Sequence, residues 1–206
     1  MNTAPPLASA GRRASLAIAG LAFAALSLAS SGAFAQAAQK VKFVTSEGDF
    51  VMEVYPDKAP KTVANFLQYV KDKHYDGTVF HRVISNFMIQ GGGYDTSYAE
   101  KKTRPPVAHE GREALTRGGP ANVIGTVAMA RTNDPNSASA QFFINVRDND
   151  FLNPTATSYG YTVFGKIVSG MDVVEKIKGT PTGPGGPFPS DVPKTPVIIK
   201  SAALVG

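Results

Sequence analysis

Between residues 40 and 205 the apolar positions fall into short runs, most at strand spacing. Val41–Thr45 and Phe50–Tyr55 are strand patterns joined by the turn signal Ser46-Glu47-Gly48-Asp49, which predicts a hairpin. Asp57 and Pro60 mark a helix start, and Val63, Phe66, Leu67 and Val70 give that helix one apolar face. Thr78–Ile84 and Phe87–Gln90 read as two strands broken at Ser85-Asn86. Gly91-Gly92-Gly93 then reads as a mobile turn, opening a long Gly-, Pro- and charge-rich stretch to about Asn122. Val123–Ala130, Gln141–Val146 and Tyr161–Val168 are apolar, β-branched or aromatic strands. Ser169–Lys178 is a short helix with Val173, Val174 and Ile177 turned inward, stopped by Gly179. Residues 179–196, rich in Pro and Gly, read as loop, and Val197–Val205 closes the chain as a last strand.

About seven or eight strands and two helices, without strict alternation or internal repeat, predict a single, mostly antiparallel domain. It is a closed barrel or a sandwich with two helices packed on it; periodicity does not choose between them.

The first 35 residues follow another pattern. Arg12 and Arg13 sit in a polar start without acids, Leu16–Leu28 is apolar, and Ala33-Phe34-Ala35 is a small-x-small site before Gln36. This is the form of an export signal cleaved after Ala35, leaving 36–206 as the mature domain. A membrane anchor fits less well, because a span needs about 20 apolar residues. No stable membrane insertion is expected after cleavage. Arg12-Arg13 is followed by residues that fit the twin-arginine pattern poorly, which points to the general secretion route and a periplasmic protein.

Composition then excludes several kinds of chemistry. The net charge of +5 falls by two once Arg12 and Arg13 are removed, and no basic stripe carries interleaved aromatics, so nucleic acid is not an expected partner. The absence of cysteine removes disulfides, thiolate nucleophiles and Cys-based zinc sites. His74, His81 and His109 have no i, i+4 pair of the kind a zinc protease needs, and there is no Gly-x-Ser-x-Gly elbow. Gly91-Gly92-Gly93 lacks the Lys-Ser/Thr of a phosphate loop. No cofactor is expected, and nothing signals more than a monomer.

One segment stands apart: Phe80-His81-Arg82-Val83-Ile84-Ser85-Asn86-Phe87-Met88-Ile89-Gln90-Gly91-Gly92-Gly93. With it, in order, come Pro60-Lys61-Thr62-Val63-Ala64-Asn65-Phe66, Ala128-Met129-Ala130-Arg131, Ser139-Ala140-Gln141-Phe142-Phe143-Ile144, and the run from Val163 to Val174. Together they resemble the cyclophilins over the whole mature chain. The resemblance implies a closed eight-stranded antiparallel β-barrel capped by two α-helices. It also implies peptidyl-prolyl cis–trans isomerase activity on proline-containing polypeptides, without a cofactor.

The residue types suit that reaction. Peptide rotation faces a barrier of ~18–20 kcal/mol, and X-Pro isomers exchange over tens to hundreds of seconds. Bringing exchange near a millisecond takes about 10⁵-fold, or roughly 7 kcal/mol. No bond breaks; the twisted amide has only to be favoured over the planar one. The twisted prolyl nitrogen regains a lone pair, and a rigid charged donor aimed at it is selective for that state.

The resemblance assigns this donor to Arg82, which read alone is an ordinary salt-bridging strand arginine. It assigns the proline pocket to Phe87, Met88, Phe143 and Leu152, each of which singly reads as core. Gln90 and Gln141 match side chains that hold substrate backbone or orient the arginine, and Ala130 and Arg131 match a stretch whose backbone pairs with substrate. Phe151 stands where many eukaryotic members carry Trp, Tyr161 where they carry His, and Arg131 where Asn is common; all three resemble the exported bacterial subgroup. Without an indole donor at Phe151, weak cyclosporin binding is expected. Two other functions remain open at this point: a barrel that grips proline segments without turnover, and a holdase-like chaperone. A hydrolase finds no nucleophile with a recognisable base.

Overall fold

The computed structural model describes residues 38–205. The proposed export signal lies outside them.

Eight strands close into one antiparallel barrel: β1 (Gln39–Thr45), β2 (Asp49–Val54), β3 (Thr78–Ile84), β4 (Met88–Asp95), β5 (Thr126–Met129), β6 (Phe142–Asn145), β7 (Val163–Ser169) and a last strand, β10 (Ile198–Val205). Around the barrel the order is β1-β10-β3-β4-β6-β5-β7-β2, so the barrel is chosen over the sandwich by the pairing of β1 with both β2 and β10.

The two expected helices are α1 (Pro60–Lys71) and α3 (Met171–Lys178). A third, short helix, α2 (Gly111–Thr116), lies within the long stretch read as irregular. The α1 face that the spacing predicts is the buried one: Val63, Phe66 and Val70 pack into the core, with Leu67 at its margin. Pro60 occupies its first turn, but Ala59 supplies no side-chain cap. The cap comes instead from Glu110, whose buried carboxylate accepts from Lys61 N at 3.2 Å, Thr62 N at 2.8 Å and Thr62 Oγ1 at 2.8 Å. One carboxylate thus satisfies N-terminal amides that a helix leaves orphaned and pins the long stretch to the barrel.

The barrel interior is aromatic. Phe43 and Phe50, register partners on β1 and β2, stack at 5.0 Å, and Phe66, Tyr75, Phe142 and Phe164 pack around them. Tyr75 reaches this core because its hydroxyl donates to Ala140 O at 2.9 Å.

Two expectations are corrected. Gly91-Gly92-Gly93 is not a turn: it runs inside β4. The glycines are there because distant side chains press on the backbone: the Phe80 ring at Gly91, the Tyr75 and Phe142 rings at Gly92, and Gln141 at Gly93. A Cβ on Gly92 would stand 2.8 Å from the Tyr75 ring, at a φ of +86° that suits glycine. Residues 179–196 are not simply loop: β8 (Thr182–Gly185) and β9 (Phe188–Pro193) pair as a separate hairpin. Its Phe188 covers His81 and Tyr94 on the barrel, at 5.4 and 5.0 Å between ring centres. Local composition hid a hairpin whose stability comes from this distant contact.

Among the described residues, no helix is long and apolar enough to cross a membrane.

Candidate active site

The site begins with a defect in β3. Phe80 and Arg82 would share a face in a regular strand, yet Phe80 is core and Arg82 is exposed. The β3–β4 register shifts between them, and this bulge turns Arg82 outward. His81 takes the buried place beneath Phe188. Burial, helped by the neighbouring Arg82 charge, lowers its pKa to about 4.

From Arg82 a row crosses the sheet: its register partner is Gln90 on β4, whose partner is Phe143 on β6, whose partner is Ala128 on β5. Met88, two residues before Gln90, joins the same face. Met88, Ala128, Phe143, Leu152 and Val163 form an apolar cluster separate from the barrel interior, with Phe87, Ala130 and Tyr161 packed against it.

Over this cluster lies a cleft of about 440 Å³. Arg82, Gln90, Ala130 and Arg131 line its polar side, and Phe87, Met88, Phe143 and Leu152 its apolar side. Phe151 and Tyr161 complete the wall. Phe151 is 71% exposed and stacks on Phe87 at 5.7 Å. Tyr161 meets Phe143 edge-on at 5.4 Å, and the Arg131 guanidinium lies over its ring at 4.7 Å.

Of the residues singled out in the sequence, Gln141 alone lies outside this cleft. It lines an adjoining cleft of about 260 Å³ that shares Gln90, Ala130 and Arg131 with the first. Its Oε1 accepts from Gln90 Nε2 at 3.0 Å, so the two glutamines couple the clefts. The Ala130 N–H is taken by Gln141 O at 3.0 Å; the Ala130 carbonyl and the Arg131 N–H have no backbone partner among the described residues. Arg82 forms no ion pair with a carboxylate there either.

Residues 40–204 match the family model for cyclophilin type peptidyl-prolyl cis-trans isomerase/CLD. This chain is a cyclophilin.

Its similarity to two bacterial relatives extends over nearly their whole length. It is 52% identical over 169 residues to peptidyl-prolyl cis-trans isomerase cyp18 of Streptomyces antibioticus, covering 81% of this chain and 98% of that one. It is 51% identical to peptidyl-prolyl cis-trans isomerase B of Escherichia coli, covering 80% and 98%. Among solved structures, it resembles a Cryptosporidium parvum cyclophilin in the presence of the dipeptide Ala-Pro, at 25% identity and a TM-score of 0.65, covering 82% and 99%. Cyclophilin AquaCyp293 of Hirschia baltica aligns at 27% identity and a TM-score of 0.62, covering 80% and 73%. The protein is a peptidyl-prolyl cis–trans isomerase.

The cyclophilin cleft also rests on residues that the sequence did not single out. Asn122, Asn145 and Asn149 are fully buried beneath it. Asn149 Nδ2 donates to Phe87 O at 2.9 Å and to Asn145 Oδ1 at 2.7 Å, and Asn149 O accepts from Leu152 N at 2.8 Å. Asn145 Nδ2 in turn donates to Asn122 Oδ1 at 3.2 Å and to Thr126 Oγ1 at 3.0 Å. This network ties two pocket residues, Phe87 and Leu152, to the barrel through their backbone. The one available sign was an asparagine ending the otherwise apolar run Phe142-Phe143-Ile144-Asn145.

Proposed function

We propose that this cyclophilin turns X-Pro bonds by aiming Arg82 at the prolyl nitrogen of a half-rotated amide whose ring sits against Phe87, Met88, Phe143 and Leu152. The observation that carries the reading is the juxtaposition itself: an arginine without a carboxylate partner among the described residues lines the same cleft as a separate apolar cluster. In the planar amide the nitrogen lone pair is delocalised and accepts poorly. In the twisted amide it is localised, and the guanidinium hydrogen bond reaches full strength only there. Being charged, that bond is stronger than a neutral one, and its fixed position avoids reorganisation during rotation.

The Gln90–Gln141 pair holds the substrate backbone across the two clefts, and the unpaired Ala130 carbonyl and Arg131 N–H extend it as a short strand. An X-Pro unit, of which the Ala-Pro dipeptide of the Cryptosporidium study is an example, is the substrate class we assign. Exchange spectroscopy of a short Ala-Pro-Phe peptide with the purified protein and with Arg82→Ala tests the reading. Loss of exchange in the variant is expected. Retained exchange would overturn the arginine mechanism, and absence of exchange in the unaltered protein would favour a binding module instead.

In the cell, we assign the protein to the periplasm as a monomer that assists folding of exported polypeptides. The support is the pattern of the first 35 residues: Arg12-Arg13, the Leu16–Leu28 run and Ala33-Phe34-Ala35. Mass spectrometry of the protein from the periplasmic fraction should find an N-terminus at Gln36. An intact N-terminus in the cytoplasm would overturn the assignment.

A further inference from the structure

His109 belongs to the long stretch between β4 and β5 and does not line the cleft, yet its ring ends on the same atom as the cleft residue Arg131. Arg131 Nε donates to Gly160 O at 3.0 Å, and His109 Nε2 lies 3.3 Å from that oxygen. On the other side of the ring, Gly111 N is 3.2 Å from His109 Nδ1. A backbone N–H can only donate, so Nδ1 is the acceptor and carries no proton. The neutral ring therefore has its proton on Nε2, where it donates to Gly160.

The packing leaves this ring little freedom. A Cβ on Gly111 would come within 2.6 Å of His109 Cε1, and one on Gly160, at φ +60°, within 2.4 Å of Pro154 N. The His109 backbone is held as well, its N–H donating to Asn136 Oδ1 at 2.9 Å.

We propose that His109 is a positioning residue of the cleft: its neutral ring holds the Gly160 carbonyl where Arg131 uses it, and protonation of the ring loosens the Arg131–Tyr161 wall against the substrate. A proton on Nδ1 would face the Gly111 N–H, donor against donor. It would also place an imidazolium beside a guanidinium bound to the same oxygen. Tyr161 follows Gly160 directly, and its N–H donates to Leu152 O at 2.9 Å, so a displaced Gly160 reaches both the stacked ring and the pocket edge.

The charged groups around His109 decide which state prevails. Glu110 is next in the chain, but its carboxylate is engaged at the start of α1. Glu113 on α2 also favours the charged ring, while Arg131 opposes it. Arg112 is turned to Thr155 O at 2.6 Å, and Tyr159 contributes its ring, edge-on at 5.9 Å. Burial is the largest influence and lowers the His109 pKa below the ordinary histidine value of 6.5. The ring is therefore neutral at neutral pH and takes up its proton on the acid side of that value.

The inference rests on the reading that Arg131 and Tyr161 bound the substrate cleft, and its test separates the two. Exchange kinetics of a terminally blocked Ala-Pro-Phe peptide are followed by NMR from about pH 8 down to the lowest pH at which circular dichroism shows a folded protein. In the unaltered protein KM should rise roughly three- to tenfold on the acid side, the range a single net hydrogen bond supports, while kcat changes less. His109→Gln keeps a donor toward Gly160 but cannot titrate, and should hold the neutral-pH KM throughout. His109→Ala should show the raised KM at every pH.

A flat KM in the unaltered protein, or the same acid rise in His109→Gln, would overturn the role of His109. Tyr161→Ala supplies the separating measurement. A raised KM there with no acid rise in the unaltered protein defeats only the His109 proposal. An unchanged KM in Tyr161→Ala defeats the cleft reading and this proposal with it.

Discussion

Arg82 and Gln90 are register partners across β3 and β4, with the β3 bulge turning the arginine onto the outer face that Gln90 already occupies. Both side chains thus stand at one strand spacing, about 4.8 Å, over the same cleft. Arg82→Ala should lower kcat/KM by roughly 10²–10³, as loss of a fixed transition-state donor does elsewhere. Arg82→Lys keeps the charge but not the planar fork, and should recover only part of the loss. Peptide exchange kinetics check both. Thermal unfolding should be little changed, because Arg82 is exposed and pairs with no carboxylate among the described residues.

Phe151 leaves most of its ring to solvent at the rim while stacking on Phe87. It has no N–H to offer a ligand carbonyl. Phe151→Trp should tighten cyclosporin inhibition by about tenfold, the value of one well-placed hydrogen bond, with peptide turnover nearly unchanged. Inhibition constants for the two proteins measure this.

Asn149→Ala would leave the buried Asn145 Oδ1 without the Asn149 donor and the Phe87 carbonyl with Val146 N alone, at 3.2 Å. The expected cost is about 1–3 kcal/mol of stability, read from urea unfolding. Because the lost bond holds a pocket residue, KM should rise in the folded variant as well.

Glu110→Ala removes the cap of α1 and the anchor of the long stretch together. Caps are worth about 0.5–2 kcal/mol, and buried amides left unpaired add to that. The melting temperature should fall, and hydrogen exchange at Lys61 and Thr62 should quicken before the rest of the barrel is affected.

All three histidines have pKa values below 6.5, chiefly through burial, with His81 at about 4. A folded-state pKa below the unfolded one means that the unfolded chain binds more protons in between. The stability these histidines contribute is therefore full above pH 6.5 and is lost as pH falls from there toward about 4. For His81 alone the loss is on the order of 3 kcal/mol. Melting temperatures across this range should show the decline, and His81→Phe should flatten it.

How much of this was legible in the chain differs element by element. Val63, Phe66, Leu67 and Val70 announced α1 because helix spacing is a local property. Arg82, Phe87, Met88, Gln90 and Phe143 were legible through ordered motifs, which name residues without saying why they meet. Gly91-Gly92-Gly93 misled because glycine marks a turn only when nothing distant needs the space; here the Tyr75 and Phe142 rings do. The β8–β9 hairpin was hidden for the converse reason: its Pro/Gly composition is that of a loop, and Phe188 gives it a reason to order only once His81 and Tyr94 lie beneath. The Asn122–Asn145–Asn149 network had no local sign beyond one polar residue closing an apolar run.

From the sequence by itself came the period of α1, α3 and most barrel strands, the family and the chemical kinds of the site residues, because backbone propensity and side-chain type are carried by near neighbours. Closure of the barrel, the bulge that turns Arg82 outward, the buried asparagines under Phe87 and Leu152, and the meeting of His109 with Arg131 at one carbonyl were decided only in three dimensions. Each of these depends on pairing or packing between residues far apart in the chain, and such contacts exist only when the whole barrel is assembled.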